Sequence, residues 1–144
     1  MSQRDLYLAE LIFNLTRFVQ DEPSPTQVQS INELPKNCYV SQDITGDYCA
    51  RTAIAGEKDV LCSFAAAYSK FEIEQFDSLV EEILADFLNL HNGLFTVSLS
   101  DDGSAECSLL APSICDAIIL NAQTYQFSIQ FTFGIVHFLL SETD

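Results

Sequence analysis

TYQFSIQFTFGIVHFLL, residues 124–140, decides the class of fold. From Thr124 to Phe133 the chain alternates without a break. Tyr125, Phe127, Ile129, Phe131 and Phe133 fall on one side, and Thr124, Gln126, Ser128, Gln130 and Thr132 on the other. Successive side chains of a strand point to opposite faces, so this period of two predicts a strand with an apolar face on the core and a polar face toward water. Gly134 then breaks the register before Ile135–Leu140 and predicts either a tight turn or a bulge.

Working outward from this run, the other segments fall into place. Residues 94–100 and 104–111 read as strands joined at Asp101-Asp102-Gly103, a second hairpin. Before them the period changes. Phe76, Leu79, Val80, Ile83, Leu84, Phe87 and Leu90 recur at three- and four-residue steps, which predicts a helix over 73–91 stopped by Asn92-Gly93. Tyr48–Ala55 and Val60–Ala66 are apolar and β-prone, with Gly56-Glu57-Lys58-Asp59 as a turn between them, and residues 38–43 make a short strand. Residues 20–37 are polar and carry Pro23 and Pro25, and read as a loop. Before them, Leu8, Leu11, Ile12, Leu15 and Val19 mark an amphipathic helix over 5–19. Residues 112–122 show no clear period. The expected fold is α+β: a largely antiparallel sheet of six or seven strands with two or three helices packed on one face. The expected organisation is a single domain over 1–144, with its core in 38–140.

Composition narrows the function. The chain has 144 residues, 48% of them hydrophobic and only 19% charged, which predicts a packed core rather than disorder. Six basic against 21 acidic residues give a net charge of −15, unsuited to nucleic acid or an anionic membrane surface and suited to a partner with a basic patch. No apolar run is long enough for a transmembrane helix, and the N-terminus lacks a signal-peptide pattern. Cys38, Cys49, Cys62, Cys107 and Cys115 are odd in number and form no CxxC pair. They read as reduced thiols packed as small hydrophobes, which points to the cytoplasm. Their spacing, and the distance in sequence between His91 and His137, predict no zinc site.

The helix over 73–91 carries a second stripe. At 100° per residue, Ser78, Glu82, Asp86, Asn89 and Gly93 fall in one narrow band, with Asp86 and Asn89 as i, i+3 neighbours. Most such stripes are solvated faces of an amphipathic helix. Asn, however, is a poor helix former, and here it stands before the last turn rather than at a cap. A carboxamide donates and accepts and so can orient a water, while a carboxylate beside it can hold a cation on a partner.

The run Glu82-Ile-Leu-Ala-Asp86-Phe-Leu-Asn89, then 22 residues, then Pro112, resembles the signature of the CheC/CheX/FliY chemotaxis phosphatases. That signature reads Asp or Ser, three residues, Glu, two residues, Asn, twenty-two residues, Pro. The Asn, the Pro and the spacings match; Glu82 stands where Asp or Ser is usual, and Asp86 where Glu is usual. The resemblance covers roughly residues 46–140 and is CheX-like, with a single motif. It implies hydrolysis of the aspartyl-phosphate on a response-regulator receiver domain. By the resemblance, Asn89 orients the attacking water, Asp86 pairs with the receiver's active-site lysine, and Glu82 and Pro112 contribute to partner contact. The phosphorylated Asp and the Mg²⁺ belong to the receiver, so no cofactor or metal is expected on this chain. Asp86 is one methylene shorter than Glu and reaches about 1.5 Å less far. That departure favours an alternative, a non-catalytic module that binds a signalling partner. A third reading is a homodimer formed by strand addition. The first helix offers only Glu10 and Asn14, one residue too far apart for the motif, and is expected to be structural.

The remaining candidates read as structural. His137 lies on the apolar face of a strand, and His91 at a helix C-terminus would favour its cationic form through the helix dipole. Ser113 has no GxSxG setting, Asp101-Asp102-Gly103 lacks the further ligands of a calcium loop, and no Gly-rich phosphate loop exists.

Overall fold

The computed structural model describes residues 2–101, 103, 105–114, 119–121 and 123–143. In chain order its elements are α1 (Gln3–Phe18), β1 (Ser24–Ile31), β2 (Cys38–Gly46), β3 (Ala50–Ala55), α2 (Lys58–Ser69), α3 (Ser78–Asp101), β4 (Cys107–Leu109), β5 (Ser113–Ile114), β6 (Gln123–Phe131) and β7 (Gly134–Glu142). The seven strands form one antiparallel sheet in the order β1-β6-β7-β3-β2-β4, with β5 also paired to β2. The three helices cover one face, as the α+β reading anticipates.

The alternating run forms β6, and Gly134 is a hairpin turn rather than a bulge. Phe131 pairs with Gly134, whose φ of +139° suits glycine. A Cβ there would lie 2.7 Å from a Val60 methyl, so α2 packs directly on the turn. Phe127, Ile129 and Phe131 of β6 and Val136, Phe138 and Leu140 of β7 are buried beneath the helices. The polar face of β6 is less open than its pattern implies. Thr124 and Ser128 are buried, and the outer side of the sheet carries a small cluster of Cys38, Ala53, Ala55 and Leu139 with Ile31 and Leu34 against it.

Three segments differ from the sequence reading. Residues 20–37 are not all loop: Ser24–Ile31 form an edge strand along β6. Pro25 is accommodated because the register shifts between Pro25 and Gln27 and an edge strand has one side without ladder bonds. Val60–Ala66 belongs to helix α2, not to a strand. Leu61, Phe64 and Ala65 are buried at helical spacing, three consecutive alanines favour the helix, and Lys70 at φ 66° closes it by donating its N–H to the Ala66 carbonyl.

The third is α3. Asn92-Gly93 does not stop it; Phe95 and Leu99 continue the buried face for more than two further turns, and Gly93 meets nothing that a side chain would disturb. The stop falls at Gly103, at φ +76°, whose N–H bonds the Ser100 carbonyl. The expected hairpin of 94–100 with 104–111 is therefore absent; only Cys107–Leu109 of it is strand. Asp102, Ser104 and Cys115 of the sequence reading lie outside the described residues. Cys49, Cys62 and Cys107 are free thiols, and no described helix is long and apolar enough to cross a membrane.

Candidate functional site

Helix α3 is anchored before it presents anything. Asp77 accepts at Oδ1 from the Leu79 and Val80 N–H groups, at 3.1 and 3.4 Å, an N-terminal cap that also suits the helix dipole. Val80, Ile83, Leu84, Phe87 and Leu88 are buried on its inner face. The rigid outer face shows Ser78, Glu82, Asp86 and Asn89 to solvent, with Gly93 half-buried. The expected acid–amide pair thus stands side by side and open.

Each member of the pair is held by a residue from another element. The Tyr68 hydroxyl, near the end of α2, donates to Asp86 Oδ2 at 2.7 Å. Gln42 Nε2, on β2, donates to Asn89 Oδ1 at 2.7 Å and to the Leu110 carbonyl at 2.8 Å. Leu110 lies in the connection between β4 and β5, two residues before the half-buried Pro112, so one glutamine ties Asn89 to the segment that carries Pro112. Asn92 Nδ2 donates to Gln42 Oε1 at 2.9 Å and to Thr52 Oγ1 at 2.8 Å, and the Tyr7 hydroxyl donates to Asn92 Oδ1 at 2.7 Å. Glu82 and Asp86 border a groove of about 610 Å³ lined also by Arg17, Tyr68, Lys70 and Phe71.

The four residues singled out from sequence therefore fall in one region: Asp86 and Asn89 adjacent, Glu82 along the same groove as Asp86, and Pro112 linked through Leu110 and Gln42. Gln42, Asn92 and Tyr68 were not foreseen. Gln42 does leave a signal, a polar residue in phase with the buried Val40 and Ile44 of its strand. Asn92, taken for a helix stop, lies on the buried face of α3.

The histidines are not part of this arrangement. His91 is not at a helix end but in the middle of α3, fully buried, and burial pushes its pKa down to about 3, so it is neutral rather than a dipole-stabilised cation. Its Nδ1 lies 2.9 Å from Asn14 Nδ2. Glu10 accepts from the Ser98 hydroxyl, so both polar residues of the α1 near-motif tie α1 to α3. His137 Nδ1 lies 2.9 Å from the Ser128 hydroxyl on the outer face of the sheet.

The pairing on α3 offers one fixed carboxylate and one fixed carboxamide within reach of a docked macromolecule. Such a combination can grip a cation and can orient a polar reactant. No family model matches the sequence, and no curated protein does. The fold itself is that of the CheX and CheC-like chemotaxis proteins. A CheC-like superfamily protein from Shewanella sp. PV-4 superposes at a TM-score of 0.83 with 15% identity, covering 100% of both chains. The chemotaxis protein CheX from Desulfovibrio desulfuricans gives 0.82 at 12% identity over 99% of this chain and 100% of its own. CheX from Borrelia burgdorferi, solved in complex with CheY, BeF₃ and Mg²⁺, gives 0.76 at 14% identity over 99% of both chains.

Proposed function

We propose that this chain hydrolyses the aspartyl-phosphate of a response-regulator receiver domain, with Asn89 orienting the attacking water and Asp86 pairing with the receiver's active-site lysine. The observation that carries the reading is the exposed Asn89, held at its oxygen by Gln42 and one helical step from the exposed Asp86. Hydrolysis of an acyl phosphate asks for placement and charge stabilisation rather than a covalent nucleophile, and a fixed amide on a rigid helix supplies placement. The phosphorylated Asp and the Mg²⁺ reside on the receiver, so this chain contributes side chains alone. The Borrelia CheX–CheY complex supports a receiver as the class of partner. Glu82 and the Pro112 connection flank the pair and extend the contact. The net charge of −15 favours approach to a lysine-bearing surface. The test is phosphate release from a CheY-type receiver, phosphorylated by a small phosphodonor in the presence of Mg²⁺. The chain is expected to accelerate release; identical rates with and without it overturn the proposal.

A second reading has its own observation. Asp86 is shorter than the usual Glu, and Tyr68 already engages one of its oxygens. On that reading the chain binds a receiver carrying beryllofluoride and Mg²⁺, a mimic of the phosphorylated state, and leaves the rate of phosphate release unchanged.

A further inference from the structure

Resting on the phosphatase reading above, we propose that Gln42 is the positioning residue of the site: it fixes the Asn89 carboxamide with its N–H₂ outward, so that Asn89 meets the phosphoryl group as a donor and keeps one lone pair of Oδ1 for water.

The sense of every amide in the chain of bonds follows from its fixed end. The Leu110 carbonyl has no proton to give, so the Gln42 atom 2.8 Å from it is the amide nitrogen. The same nitrogen faces Asn89 at 2.7 Å, and Asn89 must therefore turn its oxygen inward. On the other side, Thr52 spends its hydroxyl proton on the Gln42 backbone carbonyl at 2.8 Å and accepts from Asn92 Nδ2 at 2.8 Å. Asn92 thus points its nitrogen toward Gln42 Oε1 and its oxygen toward the Tyr7 hydroxyl. From Tyr7 through Asn92 and Gln42 to Asn89 the donors all run in one direction, and each amide polarises the next.

Burial makes the arrangement stiff. Tyr7 and Gln42 are 1% exposed and Thr52 and Asn92 0%, so water does not compete for these bonds. An apolar residue at position 42 would fill the core between Val40 and Ile44 without demanding partners, whereas a buried amide is costly unless its bonds are made. Here both polar atoms of Gln42 are engaged, and one of its bonds reaches the exposed stripe. Without that bond, an exposed asparagine turns its carboxamide over freely and presents the productive sense only part of the time.

The experiment compares the wild-type chain with Gln42→Met, which keeps the length of the side chain and removes its polar atoms, and Gln42→Glu. Two readouts are taken: kcat and KM for the phosphorylated receiver, and the NMR order parameter of the Asn89 side-chain N–H₂. Gln42→Met is expected to lower kcat between about 10- and 100-fold, to leave KM within about 2-fold, and to lower the Asn89 order parameter. Gln42→Glu is expected to lower kcat at neutral pH, because a carboxylate only accepts and draws the Asn89 nitrogen inward. Its activity is expected to return as the pH falls and the buried carboxyl gains a proton to donate. Wild-type kcat with an unchanged Asn89 order parameter in Gln42→Met overturns the inference. So does a rise in KM at constant kcat. A wild-type chain without phosphatase activity overturns the proposed function instead, and the Asn89 order parameter then decides the positioning claim alone. Amide exchange in the wild-type protein gives a check free of variants: the Gln42 N–H₂ protons are expected to be protected and those of Asn89 open to solvent, and the reverse contradicts the inference.

Discussion

Tyr68 and Asp86 meet across two helices, the phenol donating to Oδ2 at 2.7 Å while its ring stands edge-on to Phe87 at 5.2 Å. Burial pushes the phenol's pKa up, and the hydrogen bond to Asp86 and that carboxylate's charge push it the same way, so Tyr68 remains a donor across the working pH range. One Asp86 oxygen is thereby fixed and the other left for a partner.

Tyr68→Phe removes only the hydroxyl. Stability is expected to fall by about 0.5–1.5 kcal/mol, read as a lower urea midpoint at constant slope. Because Asn89 is held from β2 and not from α2, KM for the phosphorylated receiver is expected to change while kcat does not. A fall in kcat at constant KM would contradict this division of labour.

Asp86→Glu lengthens the carboxylate by about 1.5 Å. On the proposed function this improves reach to the receiver's lysine. Titration with a receiver bearing beryllofluoride and Mg²⁺ is expected to give a lower Kd than for the wild-type chain; weaker binding would count against Asp86 as the lysine partner.

His91 gives the fold an acid limb. Its folded-state pKa of about 3 lies below the ordinary value of 6.5. As the pH falls below 6.5 the unfolded chain takes up a proton that the folded chain refuses. This group's contribution is therefore complete above 6.5 and lost progressively down to about 3, at up to about 1.4 kcal/mol per pH unit. His91 Nε2 and Asn14 Oδ1 are also buried without a partner. Replacing both residues by Leu is expected to raise stability by about 1–3 kcal/mol and to flatten its fall between pH 6 and pH 4, measured by urea unfolding at several pH values. An unchanged slope would show that His91 is not the titrating group.

Gly134→Ala sets a methyl against Val60 at 2.7 Å and forces a side chain onto φ +139°. A loss of roughly 1–3 kcal/mol is expected in thermal or urea unfolding. A neutral outcome would mean that α2 and the β6–β7 turn can separate without cost.

The parts of the fold legible in sequence are those whose pattern is local. β6 alternates strictly, β7 follows it as an apolar run after Gly134, and α1 and the first turns of α3 repeat at helical spacing. β1 is a strand because β6 pairs with it, which its own polar, proline-bearing sequence does not announce. Val60–Ala66 is a short apolar run, and such runs read equally well as buried strand or buried helix. With α2 read as a strand, Tyr68 could not be placed beside Asp86. At Asn92-Gly93 a local stop signal loses to a buried face that continues through Phe95 and Leu99, and the Asn92 amide finds its partners in Gln42, Thr52 and Tyr7 rather than in a cap. Asp86 and Asn89 are legible because exposure on a helix is periodic; Gln42 acts from a strand distant in sequence, and only its misplaced polarity hints at it.

The most direct measurement of the central claim is the lifetime of a receiver's aspartyl-phosphate under saturating chain, wild type against Asn89→Ala, with binding to the beryllofluoride-bearing receiver measured in parallel. A lifetime shortened by the wild type, restored by Asn89→Ala and accompanied by undiminished binding is the expected result. A lifetime equally short with both chains, or unaltered by either, would contradict it.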